Sequence, residues 1–234
     1  MKLSGTFSNS EKRHAGPNLL LLTLIYVGFM IAGGSRLSAS FHIPSNSAQA
    51  VAYIAKAGWS IQLGSFFELA SAIPLGIFFA AVISRLQFLG VRVAGVQIAF
   101  LGGIGATITL FLSSLCSWSL TRPGIAEATG AVRALQALNF ASAGPGFAVL
   151  LGLFVAGVSL AAGLSKLMPR WLMWLGIFIA IACELASLTL LNFTAGYFIP
   201  VGRFISIIWM IGVSLTLPAS LPGAAGEVEP NPAA

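Results

Sequence analysis

The chain has 234 residues, of which 57% are hydrophobic and only 8% charged. Soluble domains carry about 25% charged residues, so this composition excludes a water-soluble fold and points to lipid as the bulk solvent. The net charge of +6 comes from 12 Lys and Arg set against 6 Glu with no Asp; it reflects a scarcity of acids, and no Lys/Arg run or basic, aromatic-interleaved groove points to nucleic acid.

Residues 1–18 form a polar tail carrying Lys2, Lys12 and Arg13. The first apolar span covers roughly 19–39. A signal peptide cleaved around Ser38-Ala39-Ser40 is the competing reading, but the tail is long and the apolar run is at the upper limit for a signal core. A retained span is expected. Residues 41–58 are polar enough to leave the membrane as a short external segment. Pro44-Ser45-Asn46 marks a turn there, followed by either a surface helix with Val51, Tyr53 and Ile54 on its apolar side or a plain loop.

The second span, 59–85, contains Glu68 and Pro74; membrane helices tolerate such a proline. After a turn at 87–92, the third span covers 93–120. Its Gly102, Gly103 and Gly105 let a neighbouring helix come close. Residues 121–130 read as a loop. The fourth span, 132–164, is interrupted at Gly144-Pro145-Gly146. Its first part places Arg133, Gln136 and Asn139 three apart on one helical face, either lining a cavity or simply wet on an external helix. A short basic turn, 165–170, leads to the fifth span, 171–193, which holds Glu184. A tight connection at 194–202 precedes the sixth span, 203–217, which is short unless its helix begins near Phe198. Residues 218–234, rich in Pro, Ala and Gly, are expected to be a disordered tail.

The expected fold class is therefore an all-α membrane protein. It is a six-transmembrane-helix bundle over 19–217, with a short external segment after the first helix and polar tails at 1–18 and 218–234. An even number of spans puts both termini on one side. That side carries Lys2, Lys12, Arg13, Arg85, Arg92, Lys166 and Arg170; the other carries Arg36, Lys56, Arg122, Arg133 and Arg203. The excess of basic residues assigns both termini to the cytoplasm. Trp59 and Trp118 would anchor the outer interface, and Trp171 and Trp174 the inner one.

The two intramembrane acids are the lead to function. Glu68 lies nine residues after Trp59, and Glu184 nine before Phe193. At 1.5 Å per residue, each falls about 14 Å below the outer end of its span. A charge at the bilayer centre costs about 2.5–3.5 kcal/mol on insertion scales, so such groups face the interior, pair, or stay neutral. Arg36, Arg133 and Arg203 flank the same side, and Asn139 shares the face of Arg133. Together these residues outline an outward-facing polar pocket for a small solute or a proton. The alternative is a structural or regulatory subunit, in which the acids join helices and the arginines snorkel to headgroups. Both acids precede Leu-Ala-Ser, but the halves share little else, so an internal repeat is not established.

An enzyme is disfavoured. The histidines are His14 and His42, both outside the spans, so no haem pair or serine–histidine arrangement is available. No Cys/His/carboxylate cluster has metal-site spacing. Every lysine lies at an edge, which removes a Schiff base inside a span. Cys116 and Cys183 read as small buried hydrophobes. No cofactor is implied.

The fifth span opens with Met168-Pro169-Arg170-Trp171-Leu172, then Trp174-Leu175-Gly176. Further on come Gly202-Arg203-Phe204 and Ile208-Trp209. This pattern resembles small bacterial six-helix membrane proteins grouped as a domain of unknown function, in which an external segment follows the first span. The resemblance implies an integral inner-membrane protein and carries no established activity, so no site residue is transferred from it.

Overall fold

In the computed structural model, residues 14–37 and 47–220 are described. Within them the chain is helical throughout its regular elements. The helices are α1 (Leu19–Leu37), α2 (Ser47–Phe88), α3 (Ala94–Ser119), α4 (Thr129–Ala141), α5 (Phe147–Leu164), α6 (Arg170–Leu185) and α7 (Phe198–Thr216). Five stretches are long and apolar enough to cross a membrane: Lys56–Phe88, Ala94–Ser119, Thr129–Leu164, Arg170–Leu190 and Phe193–Thr216. Leu19–Gly34 is a shorter apolar helix. The outer faces agree with this. Ile98, Leu101 and Ile108 of α3 and Phe178 and Ile181 of α6 are all exposed, an apolar surface that only lipid can solvate cheaply.

The helices pack in sequence: α1 on α2, α2 on α3, α3 on α5, α5 on α6, α6 on α7, with α7 returning to α1. One half of the ring is filled by aromatic side chains. Phe79 and Phe154 meet with centroids 4.2 Å apart, and Trp209 stands edge-on to Phe154 at 6.1 Å. The two ends of the described chain come together at this end of the bundle. His14 N–H donates to Ala219 O at 2.8 Å, Arg85 Nη1 donates to Leu217 O at 3.4 Å, and Thr23 Oγ1 lies 3.4 Å from Ser214 Oγ.

The glycines of α3 serve close packing as expected. A Cβ added at Gly102 would lie 2.5 Å from the Phe154 backbone nitrogen, and one at Gly103 would lie 3.0 Å from Phe79 Cβ. The thiols of Cys116 and Cys183 are buried and free.

Three expectations are corrected. First, α2 runs without a break from Ser47 through Gly58 into the apolar span. A separate loop or helix ending at Gly58 is therefore not seen. Residues 47–58 hold five alanines and no proline, so nothing stops helix propagation upstream of Trp59. The turn at Pro44-Ser45-Asn46 lies outside the described residues, as do both tails beyond 14 and 220.

Second, 171–193 is not one helix. α6 ends at Leu185, a tighter turn follows at Ala186–Leu190, and another at Phe193–Tyr197 leads into α7. Ser187 Oγ donates to Glu184 O at 2.6 Å, so a side chain competes for a carbonyl near the helix end. Asn192 Oδ1 then accepts from Thr194 N–H at 3.0 Å and starts the next turn. Third, the last helix begins at Phe198 and not at Arg203, which removes the apparent shortness of the sixth span.

Candidate functional site

The half of the bundle opposite the chain ends is not filled. α1, α2, α4 and α7 surround a cavity of about 910 Å³, bordered at its far edge by the turn Phe193–Tyr197. Glu68, Asn139 and Arg203 all line it.

Glu68 sits on α2 and is 9% exposed. Its Oε1 accepts from Ser113 Oγ at 3.0 Å. Ser113 in turn accepts from Asn139 Nδ2 at 3.0 Å, while the same amide nitrogen reaches Ser113 O at 2.8 Å and Ser117 Oγ. A hydroxyl has one proton to give. Ser113 gives its proton to Glu68, while the two N–H donors of Asn139 are shared among Ser113 O, Ser113 Oγ and Ser117 Oγ. The relay fixes Glu68 Oε1 as an acceptor and leaves Oε2 to the cavity. It also ties α4 to α3 and α3 to α2. Asn139→Ala removes the amide donor that ties α4 into this relay and leaves Ser113 O and Ser117 Oγ without it. The expected loss is about 1–3 kcal/mol, read as a lower midpoint in a detergent unfolding titration; a midpoint equal to wild type would dismiss the relay as a structural element.

Arg203 is placed by the break between α4 and α5. Pro145 has no N–H to give, and Gly144 takes non-helical angles (φ −91°, ψ −105°). The Phe147 N–H consequently bonds Ser142 O and Gly144 O, and the intervening carbonyl of Ala143 is released from the usual i to i+4 pattern. Arg203 Nη1 donates to that carbonyl at 3.5 Å, and its guanidinium lies 5.0 Å over the Phe147 ring. The helix break thus builds a seat for a cation. From there Arg203 faces the same cavity as Glu68.

Of the other sequence-derived candidates, Glu184 and Arg133 do not join the cavity lining. Glu184 is exposed near the end of α6, with Oε1 over Gly152 of α5. Depth counting paired it with Glu68 by assuming a straight helix to Phe193, and that helix ends at Leu185. Arg133 is exposed on α4, while Asn139 on the same face turns inward. Arg36 belongs to α1, but its side chain lies outside the described residues. Two contributors were missed: Ser113, hidden among ordinary small residues of α3, and Ala143 O, a backbone atom. The Gly144-Pro145-Gly146 signal was present for the second, because it marks a helix break, where carbonyls leave the i to i+4 pattern.

An all-helical chain with several membrane-length apolar helices, carrying a buried acid, an amide and a guanidinium around one cavity, defines a class: a multi-pass membrane protein with an internal polar site. Comparison of the chain with protein-family models, curated proteins and solved structures gives no match.

Proposed function

We propose that this is a six-span inner-membrane protein that binds a small solute in an outward-facing pocket formed by Glu68, Asn139 and Arg203. The observation that carries the reading is the cavity itself. Apolar chains bury polar groups at membrane depth only where those groups are used or fully paired, and here an acid and a guanidinium share open space of about 910 Å³. Pockets of about 300–1,000 Å³ suit small-molecule ligands.

Six crossings follow if α1 spans, and its 19 residues reach about 28 Å. α4, the broken turn and α5 count as one crossing. The meeting of both chain ends at one end of the bundle supports an even number. Arg85, Arg92, Lys166 and Arg170 belong to that end, which supports a cytoplasmic assignment for it. The likeness to the six-helix family rests on 168–176 and 202–209 and is kept as part of this reading.

Gly34→Phe provides the test. Gly34 lines the cavity, and a Cβ there meets nothing within 4 Å, so the backbone at this point of the lining has room to carry an occluding side chain. A panel of anionic, zwitterionic and neutral solutes and single-chain lipids is screened by thermal unfolding of the purified protein. Ligand at 100 times Kd stabilises by about 2.7 kcal/mol. At least one probe class is expected to raise the Tm of wild type and not of Gly34→Phe. Absence of any such shift, or an equal shift in both proteins, would reject the pocket.

A further inference from the structure

Among the described residues, the cavity reaches the outer surface of the bundle between α1 and α7. It lies between α1 and α7, lined by Met30 and Ile31 on one side and by Ile199, Arg203 and Phe204 on the other. These two helices touch at the opposite end of the bundle, where Thr23 meets Ser214. Around Ile31 and Phe204 the space between them is cavity.

Ile31 and Phe204 are 61% and 56% exposed. Each continues the outer stripe of its helix. Phe204 aligns with exposed Ile208 and Leu215 on α7, and Ile31 with exposed Leu24 on α1. The same two residues therefore belong to the cavity and to the lipid-facing surface. The mouth opens sideways, between two helices, at the depth of hydrocarbon. At the far edge, exposed Phe193 and Tyr197 complete the lining, which is the aromatic composition found where a bilayer meets water.

Resting on the reading of the cavity as a binding site, we propose that its ligand is a single-chain amphiphile with an anionic head, admitted from the bilayer between α1 and α7. A wholly polar solute would leave most of this wall facing a hydrated molecule. An alkyl chain covers it and extends through the lateral mouth into lipid. The head belongs at Arg203. That guanidinium is permanently charged; Nη1 donates to Ala143 O, and with five N–H donors in all it keeps donors for a carboxylate or phosphate oxygen. An ionised Glu68 and the anionic head compete for the same guanidinium. Replacing Glu68 by Gln therefore favours the ligand, whereas replacing Arg203 removes its anchor.

The probe is palmitate carrying a photoactivatable diazirine in its tail, added to the full-length protein in phosphatidylcholine vesicles. Saturable labelling is expected on α1 and α7 around Met30, Ile31 and Phe204. Gly34→Phe should abolish it, Arg203→Gln should reduce it roughly tenfold or more, Arg203→Lys should retain most of it, and Glu68→Gln should leave it equal or stronger. Folding of each variant is checked by its thermal transition; should Arg203→Gln fail to fold, the contrast between Gly34→Phe and Arg203→Lys decides. Labelling confined to the outer stripes and indifferent to Gly34→Phe would overturn the proposal. Equal competition by zwitterionic lysophosphatidylcholine would remove the anionic head and overturn it too. If inorganic phosphate or acetate stabilises wild type but not Gly34→Phe while palmitate labels nothing in the cavity, the pocket stands and the amphiphile falls. If no probe distinguishes Gly34→Phe from wild type, both fall.

Discussion

Gly102→Val is expected to be strongly damaging to the transmembrane body. Gly102 of α3 faces α5. An added Cβ would lie 2.5 Å from Phe154 N, 2.6 Å from Leu150 O and 2.9 Å from Leu153 Cβ. Two of these are backbone atoms, which cannot rotate away as the tip of a side chain can. The helices would have to separate, and with them the contact of Phe154 with Phe79 and Trp209. Between membrane helices no hydrophobic effect offsets such a separation, since association depends on close van der Waals contact. Overpacking of this kind costs about 1–3 kcal/mol or more. Gly28→Ala is the control: it lies on α1 with nothing within 4 Å of a new Cβ, and exchange of glycine for alanine in a helix is worth about 0.5–1 kcal/mol in the stabilising direction. Unfolding in mixed micelles should show the valine variant well below wild type and the alanine variant at or above it. A valine variant within about 0.5 kcal/mol of wild type, the range of ordinary surface substitutions, would mean that the α3–α5 seam is looser than described.

Much of this architecture is legible in the sequence because membrane helices obey a length rule. Apolar runs near 20 residues, the Gly144-Pro145-Gly146 break and the small-residue stripe of α3 each have one dominant physical meaning, and each appears where expected. The upstream extension of α2 was hidden because polarity reports solvent and not backbone conformation. Residues 47–58 leave the apolar pattern yet remain good helix formers. The end of α6 was hidden for the opposite reason. Leu188, Leu190 and Leu191 keep the hydropathy high beyond Leu185, where the helix has already ended. Hydropathy alone cannot see that change, and it carried Glu184 into a pairing that the chain path does not make. Of the candidate site, Glu68, Arg203 and Asn139 were readable as polar groups at depth. Their partners were not, because a serine hydroxyl and a freed carbonyl acquire meaning only through the neighbour that faces them.

That arrangement makes the two charged members of the site unequal, and Glu68→Gln should reveal it. Glutamine keeps an oxygen that accepts from Ser113, so the relay to Asn139 survives and only the charge is lost. Arg203 then stands without an anionic neighbour among apolar walls. It cannot shed its proton, and a lone arginine at helix centre costs about 2.5–3.5 kcal/mol on insertion scales. Ala143 O and the Phe147 ring keep part of that at bay, so a loss of about 1–3 kcal/mol is expected, within the usual coupling of neighbouring charges. Arg203→Gln should cost less. The acid left behind can take up a proton and become neutral, which a guanidinium cannot do. The double variant Glu68→Gln/Arg203→Gln should then recover stability relative to Glu68→Gln alone, because removing both charges leaves none stranded. Unfolding midpoints of the four proteins at one fixed pH and ionic strength form the cycle. Additive losses, or an Arg203→Gln variant less stable than Glu68→Gln, would show that the two groups do not sense each other across the cavity. The ordering predicted here follows from chemistry alone: of two opposite charges sharing an apolar space, the one that can neutralise itself is the one the fold can spare a partner for.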